Sequence, residues 1–166
     1  MREFSLVLVF VCLIFGAVAD AKQVSNAQQL QEIFNEETSK PVVQDIELVN
    51  DIDFSDVGLT LPLGATTMRW CKPYSGIFQG NNHTIKGIDM NNINTPGYSL
   101  AGLFCELKNA TIKNLTIDSS CSFTGLWSGG LSVRVTGSLT LVNVTNKANV
   151  TGTKLAGGFI ACMEEV

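Results

Sequence analysis

Few residues in this chain have both the type and the spacing to do chemistry. Asp51 and Asp53 form the closest carboxylate pair, with Asp56 nearby, and Asp89 and Asp118 follow apolar stretches of successive repeats. Paired carboxylates across a groove cleave glycosidic bonds, and acids that hold calcium beside a base support polysaccharide elimination. The supporting patterns are missing, because the chain has no adjacent Asp-Asp, no Gly-His-Gly and no Arg-Ile-Lys. His83, the one histidine, is built into the polar turn Gly80-Asn81-Asn82-His83-Thr84, where a structural role outweighs acid–base work. No C-x-x-C occurs, so zinc is not expected. The first pair reads as a solvated strand end, and no catalytic residue, metal or cofactor is expected.

Binding is the stronger expectation. Trp70, Tyr74, Tyr98 and Trp127 fall in or beside expected loops, where aromatics stack on sugars or anchor a protein partner. Trp70 reads as a cover for one end of the core. Tyr98 and the pair Phe123 and Trp127 make the candidate surface for a glycan or protein ligand. Five glycosylation sequons begin at Asn82, Asn109, Asn114, Asn143 and Asn149. Asn and Thr are also what β-corners and exposed strand faces favour, so the same residues carry a purely structural reading.

The elements that must position these residues show themselves as a repeat. Gly76-Ile77-Phe78, Gly102-Leu103-Phe104, Gly130-Leu131-Ser132 and Gly158-Phe159-Ile160 are spaced by 26, 28 and 28 residues. Further along come Thr84-Ile85-Lys86-Gly87-Ile88, Thr111-Ile112-Lys113-Asn114-Leu115 and Thr140-Leu141-Val142-Asn143-Val144. Two features recurring at such a period mark stacked coils. Parallel strands would bury Ile, Leu and Val, with Leu115 and Ile117 inward and Thr116 outward. Corners need Gly or Asn, and Gly87, Asn114 and Asn143 are expected at one shared corner, where stacked asparagines can bond along the axis. The segments Asn91–Gly97 and Ser119–Trp127 read as variable loops. Val42–Ile52, alternating and rich in Val and Ile, reads as the first strand pair. Before it, Val24–Glu36 reads as a helix capping the first coil, with Ser25 and Gln28 at capping-box spacing.

The start of the chain is different in kind. Met1-Arg2, the apolar run Phe4–Val18 and the small residues of Ala19-Asp20-Ala21 make residues 1–21 a signal peptide. Residues 22–41 then carry the capping helix and residues 42–166 the coils, with secretion or the cell surface as the location. No second apolar run exists, so no membrane span is expected after cleavage. Lys22–Val57 holds eight acids and two bases, and the chain from Gly58 onward five acids and eight bases, with no dense basic stripe, which argues against nucleic acid. Cleavage leaves Cys71, Cys105, Cys121 and Cys162, which allow three pairings of two disulfides. Cys105 with Cys162 is disfavoured: two layers at about 4.8 Å hold them about 10 Å apart, beyond the reach of a bridge.

The same segments resemble the GLUG-motif repeats of bacterial and protist surface proteins. The matching residues are Asp51-Ile52-Asp53, Trp70, the stretch Ser75–Ile85 with its Gly-Asn-Asn-His-Thr-Ile end, and the glycine series. The likeness spans about Val42 to Cys162, although Cys105, Val133 and Ala161 stand where the motif has a second glycine. The resemblance implies a right-handed parallel β-helix and non-catalytic surface interaction or adhesion. The other readings are a carbohydrate-active β-helix enzyme using Asp51, Asp53 or Asp89, and a truncated, functionless paralogue. The chain stops at Met163-Glu164-Glu165-Val166 without a capping helix, so an apolar strand edge is expected there, inviting self-association.

Overall fold

The computed structural model describes residues 21–35, 40–66, 70–94 and 99–164. Residues 1–20 of the expected signal peptide, and Tyr98, lie outside them. The chain is mainly β, a parallel β-solenoid of about five turns with one short helix near its start.

The first strand is β1 (Lys22–Val24), followed by α1 (Ala27–Asn35). The helix is therefore shorter than the expected Val24–Glu36, and its start is one residue later than the Ser25/Gln28 reading. Asn26 Oδ1 accepts from the Gln29 amide, while Gln29 Oε1 reaches back to the Ser25 amide. Asn26 is the better cap because the extended chain of β1 runs through Val24, whose side chain is fully buried. Ala27, Leu30 and Phe34 form the buried face of α1, and the Phe34 ring meets Tyr74 at 5.8 Å and Phe104 at 5.9 Å. The helix caps the first turn, as expected.

β2 (Ile46–Leu48) and β3 (Ile52–Asp53) come from the alternating Val42–Ile52 segment. They do not pair with each other, since each pairs in parallel with the next turn, β2 with β4 (Ile77–Gln79) and β3 with β5 (Thr84–Lys86). The following strands are β6 (Asp89–Asn91), β7 (Leu100–Ala101), β8 (Phe104–Ile117), β9 (Ser122–Gly129), β10 (Ser132–Asn146), β11 (Asn149–Gly157) and β12 (Ile160–Glu164). One sheet runs β1-β2-β4-β8-β10-β12, with β3 and β5 at its side, and a second holds β6, β7, β9 and β11. Ser122–Trp127 is therefore strand rather than variable loop.

β8 and β10 are long because they pair again beyond each corner, with a one-residue register shift between Thr136 and Leu139. Asn109, Asn114 and Asn143 each sit at φ 51°, a left-handed conformation that asparagine tolerates because its short amide bonds locally. Asn143 Nδ2 donates to Asn114 Oδ1 at 3.1 Å, and Asn114 Nδ2 donates to Gln79 Oε1 at 3.2 Å. The stacked-asparagine expectation holds for that pair. Gly87 belongs to a different corner, since Thr84 pairs with Thr116 and Ile85 with Ile117.

The repeat alignment is right for the later turns and wrong for the first. Thr111, Ile112, Lys113 and Leu115 stack under Thr140, Leu141, Val142 and Val144, and Phe104, Ser132 and Ile160 share one register. Gly102, Gly130 and Gly158, two residues before each, thus form a true column. A Cβ on Gly102 would lie 2.5 Å from the Gly129 carbonyl oxygen, and one on Gly130 2.4 Å from that of Gly158. Stacked backbones approach too closely there for any side chain. Gly76 is out of this column, because Ile77 pairs with Thr111. Thr84–Ile88 is likewise out of register with Thr111–Leu115.

The core is a set of columns along the axis. Ile46, Phe78 and Ile112 stack and are fully buried, as do Ile52, Ile85 and Ile117, and Leu115 and Ile117 point inward as expected. In the last turn these columns reach solvent: Leu141, over Ile112, is 37% exposed, and Met163, over Val135, is 68% exposed.

Candidate functional site

Asp53 and Asp118 are held by their own turns, and Asp51 by the next coil. Asp51 Oδ1 accepts from the Thr84 amide at 2.9 Å and lies 3.3 Å from His83 Nδ1. Asp53 Oδ1 accepts from the Ser55 amide, and its other oxygen is 3.5 Å from Lys86 Nζ. Asp118 Oδ1 accepts from the Ser120 amide in a like turn at the same corner, two coils along. Register makes this a column, because Asp53 pairs with Lys86, Asp118 follows Ile117 over Ile85, and Lys147 donates its amide to the Ile117 carbonyl. The signs alternate Asp53, Lys86, Asp118, Lys147 up one corner of the solenoid. The Asp53 carboxyl is held below its ordinary range, chiefly by hydrogen bonds from Ser55, with Lys86 adding to it. That of Asp118 is lowered chiefly by the Ser120 amide, with a smaller contribution from Lys147. Depressed values keep both ionised and are the opposite of what a general acid needs.

Asp89 stands apart from these, on β6 of the second sheet, paired with Ser122. The structure does not bring Asp51, Asp53 and Asp89 to one face. Two clefts of about 330 and 320 Å³ lie beside α1, both lined by Lys22 and Ile33, and none of the candidate carboxylates lines either.

The aromatic candidates divide sharply. Phe123 is fully buried on the inner face of β9, stacked between Met90 and Val150, so it is core and not surface. The error came from reading the segment as a loop; a strand alternates, and Phe123 has the inward parity. Tyr74 is also fully buried, its ring stacked on Phe104 at 5.8 Å, and burial pushes its phenol far above the ordinary range. Trp70, expected as an end cover, is 70% exposed. Trp127 remains on the surface at 37% exposure.

Trp70 projects because its segment leaves the solenoid. Leu63 pairs with Phe104 and Tyr74 with Leu107, eleven residues against three, so the described residues between them, 64–66 and 70–73, leave the coil in an excursion. Gly64 opens it at φ 82°, where a Cβ would lie 2.4 Å from the Lys72 carbonyl oxygen. Cys71 closes it through a disulfide to Cys105 on β8. This is one of the pairings left open by the sequence; Cys121 is free and buried, and Cys162 is free and half-buried, so Cys105 and Cys162 do not join.

Among the sequon asparagines, Asn82, Asn109, Asn143 and Asn149 are exposed. Asn109 Oδ1 accepts from the Ser138 amide at 3.0 Å, and Asn114 and Asn143 form the ladder already described. Asn149 opens β11. Sequence reasoning missed a buried polar cluster. Glu106, 6% exposed, accepts from Arg134 at 2.5 Å and from the Thr136 hydroxyl at 2.8 Å, and Arg134 lies 4.0 Å from Glu164. Its only sequence signal was the match of Glu106 and Arg134 at the repeat period.

The second sheet carries ordered rows of outward side chains. Outward residues stack in three columns: Asp89–Ser122–Asn149, Asn91–Thr124–Thr151 and Leu100–Trp127–Leu155. The Leu126 and Trp127 amides both donate to the Ser99 carbonyl, at 2.7 and 3.0 Å, in a bulge that turns Trp127 outward. Among the described residues no group of His, Cys, Asp and Glu is placed to hold a metal, and no helix is long and apolar enough to cross a membrane. Comparison with protein-family models, with curated proteins and with solved structures returns no match.

Proposed function

We propose that this chain is a non-catalytic β-solenoid of the cell surface or extracellular space that works by adhesion to a glycan or protein. One observation carries the reading. Asp51, Asp53 and Asp118 are spent on backbone amides and a sign-alternating column, whereas the second sheet offers Trp127 beside hydrogen-bonding columns. Secretion is supported by residues 1–21 of the sequence and by the Cys71–Cys105 bridge, since disulfides persist in oxidising compartments. The GLUG resemblance supports the same role. Self-association belongs to this reading too, through the last turn where Leu141, Phe159 and Met163 reach solvent.

The test is direct. Purified chain is offered to immobilised cell-surface and matrix preparations, and soluble polysaccharides incubated with it are analysed for new reducing or unsaturated ends. Retention without product supports an adhesin. Product lost on Asp51→Asn would establish the carbohydrate-active alternative, to which the His83–Asp51 contact lends its one favourable observation. Light scattering over a dilution series tests self-association, which a concentration-independent monomer removes.

A further inference from the structure

The second sheet has features that select among ligands. Its three outward columns follow the solenoid axis, with one residue of each column per turn. Parallel strands are about 4.8 Å apart, so three turns offer matched groups over about 10 Å. The step of about 4.8 Å from turn to turn is close to the length of one pyranose in an extended β-1,4-linked chain. The middle column, Asn91–Thr124–Thr151, presents amide and hydroxyl groups that both donate and accept. The third presents the indole of Trp127 flanked by Leu100 and Leu155, an apolar platform at right angles to the strands.

Trp127 is positioned before any ligand arrives. Its amide is bonded to Ser99, its strand is paired on both sides, and the adjacent Ser128 is fully buried with its hydroxyl donating to the Thr151 carbonyl at 2.8 Å. Pre-organisation of this kind lowers the ordering cost of binding. Charge narrows the choice further. Of the nine residues in the three columns only Asp89 is charged, and the exposed Lys154, between Thr151 and Leu155 on β11, balances it. An uncharged polyhydroxyl ligand complements such a surface better than a polyion of either sign.

We infer that the outer face of the second sheet is a glycan-binding platform for an extended, uncharged β-1,4-linked chain lying along the solenoid axis. Trp127 takes the apolar face of a sugar ring, and Asn91, Thr124 and Thr151 bond the hydroxyls of successive residues. This rests on the binding role proposed above and names its site and ligand class.

The experiment is calorimetric titration of the full chain, produced under oxidising conditions without N-glycans so that Asn149 stays bare. The probes are cello- and chito-oligosaccharides of two to six residues, with a maltohexaose and a heparin hexasaccharide alongside. Affinity for one of the β-1,4 series is expected to rise with length and level off at about three residues, where the columns are filled. Trp127→Ala is expected to weaken binding at least tenfold, and Thr124→Val with Thr151→Val roughly threefold to tenfold. Circular dichroism and thermal melts confirm that each variant is folded, and Trp127→Phe, which keeps a ring, is expected to restore part of the affinity. Absence of binding to both β-1,4 series at millimolar concentration overturns the inference, as does binding that these variants leave unchanged or tighter binding of heparin. If the sugars fail while the chain still adheres to surface preparations, only the glycan platform falls; cleavage of the oligosaccharides would instead remove the non-catalytic reading.

Discussion

Breaking the Cys71–Cys105 bridge is the sharpest test of the turn-by-turn register. The perturbation is Cys71→Ser combined with Cys105→Ala, the alanine chosen because position 105 is fully buried and a hydroxyl there would lack a partner. The bridge spans a sequence separation of 34, and chain-entropy arithmetic for a loop of that size gives about 3.8 kcal/mol at 25 °C. With a urea slope of about 2 kcal/mol/M, the unfolding midpoint should fall by about 2 M. The assay is urea unfolding followed by circular dichroism and tryptophan fluorescence, with coincidence of the two curves checking two-state behaviour, since stacked turns can unfold piecemeal. Thiol labelling of the native chain should tag the half-buried Cys162 and spare Cys121, whose thiol burial pushes upward. A midpoint shifted by less than about 0.5 M, or a peptide map joining Cys71 to Cys121 or Cys162, would refute the reasoning, because the excursion would then not be tied to the turn that carries Phe104.

Three further outcomes follow from the same structure. Asn114→Ala should cost about 2 kcal/mol by placing a Cβ-bearing, unbonded side chain at φ 51° and removing both ladder bonds, whereas Asn114→Gly should cost about 1 kcal/mol less; equal losses in thermal or urea melts would remove the left-handed argument. Glu106→Ala should destabilise by about 1–3 kcal/mol, since it removes the acceptor of Thr136 and the nearer of the two carboxylates beside Arg134, and a loss under about 0.5 kcal/mol would show that the cluster relaxes into solvent. Acid should weaken the corner column in a defined direction. Asp53 and Asp118 have folded values lowered from 3.8, so their contribution is fully present above about pH 4 and is lost as pH falls through the still lower folded values. Carboxyl chemical shifts read against pH should move late for these two, and titration of either at or above the ordinary aspartate value would contradict the Ser55 and Ser120 bonds.

Several features were determined by the chain's own residues. The alternation around Leu115 and Ile117, the asparagines that accept a left-handed corner, and the glycine column from Gly102 to Gly158 are all local properties that recur at a constant period. A helix over the first turn was legible for the same reason, although its cap moved to Asn26 once β1 claimed Val24. The tertiary structure alone decided what depends on how many residues each turn absorbs. Stacked partners in the later turns lie 28 or 29 residues apart, as Phe104 and Ser132 or Ile112 and Leu141 do, yet Phe78 and Ile112 are 34 apart. The extra length slid the first repeat out of register and set the disulfide partner beyond the reach of spacing arguments. Contacts in a solenoid are made between turns, and the length of a detour leaves no local trace in the strands that it separates.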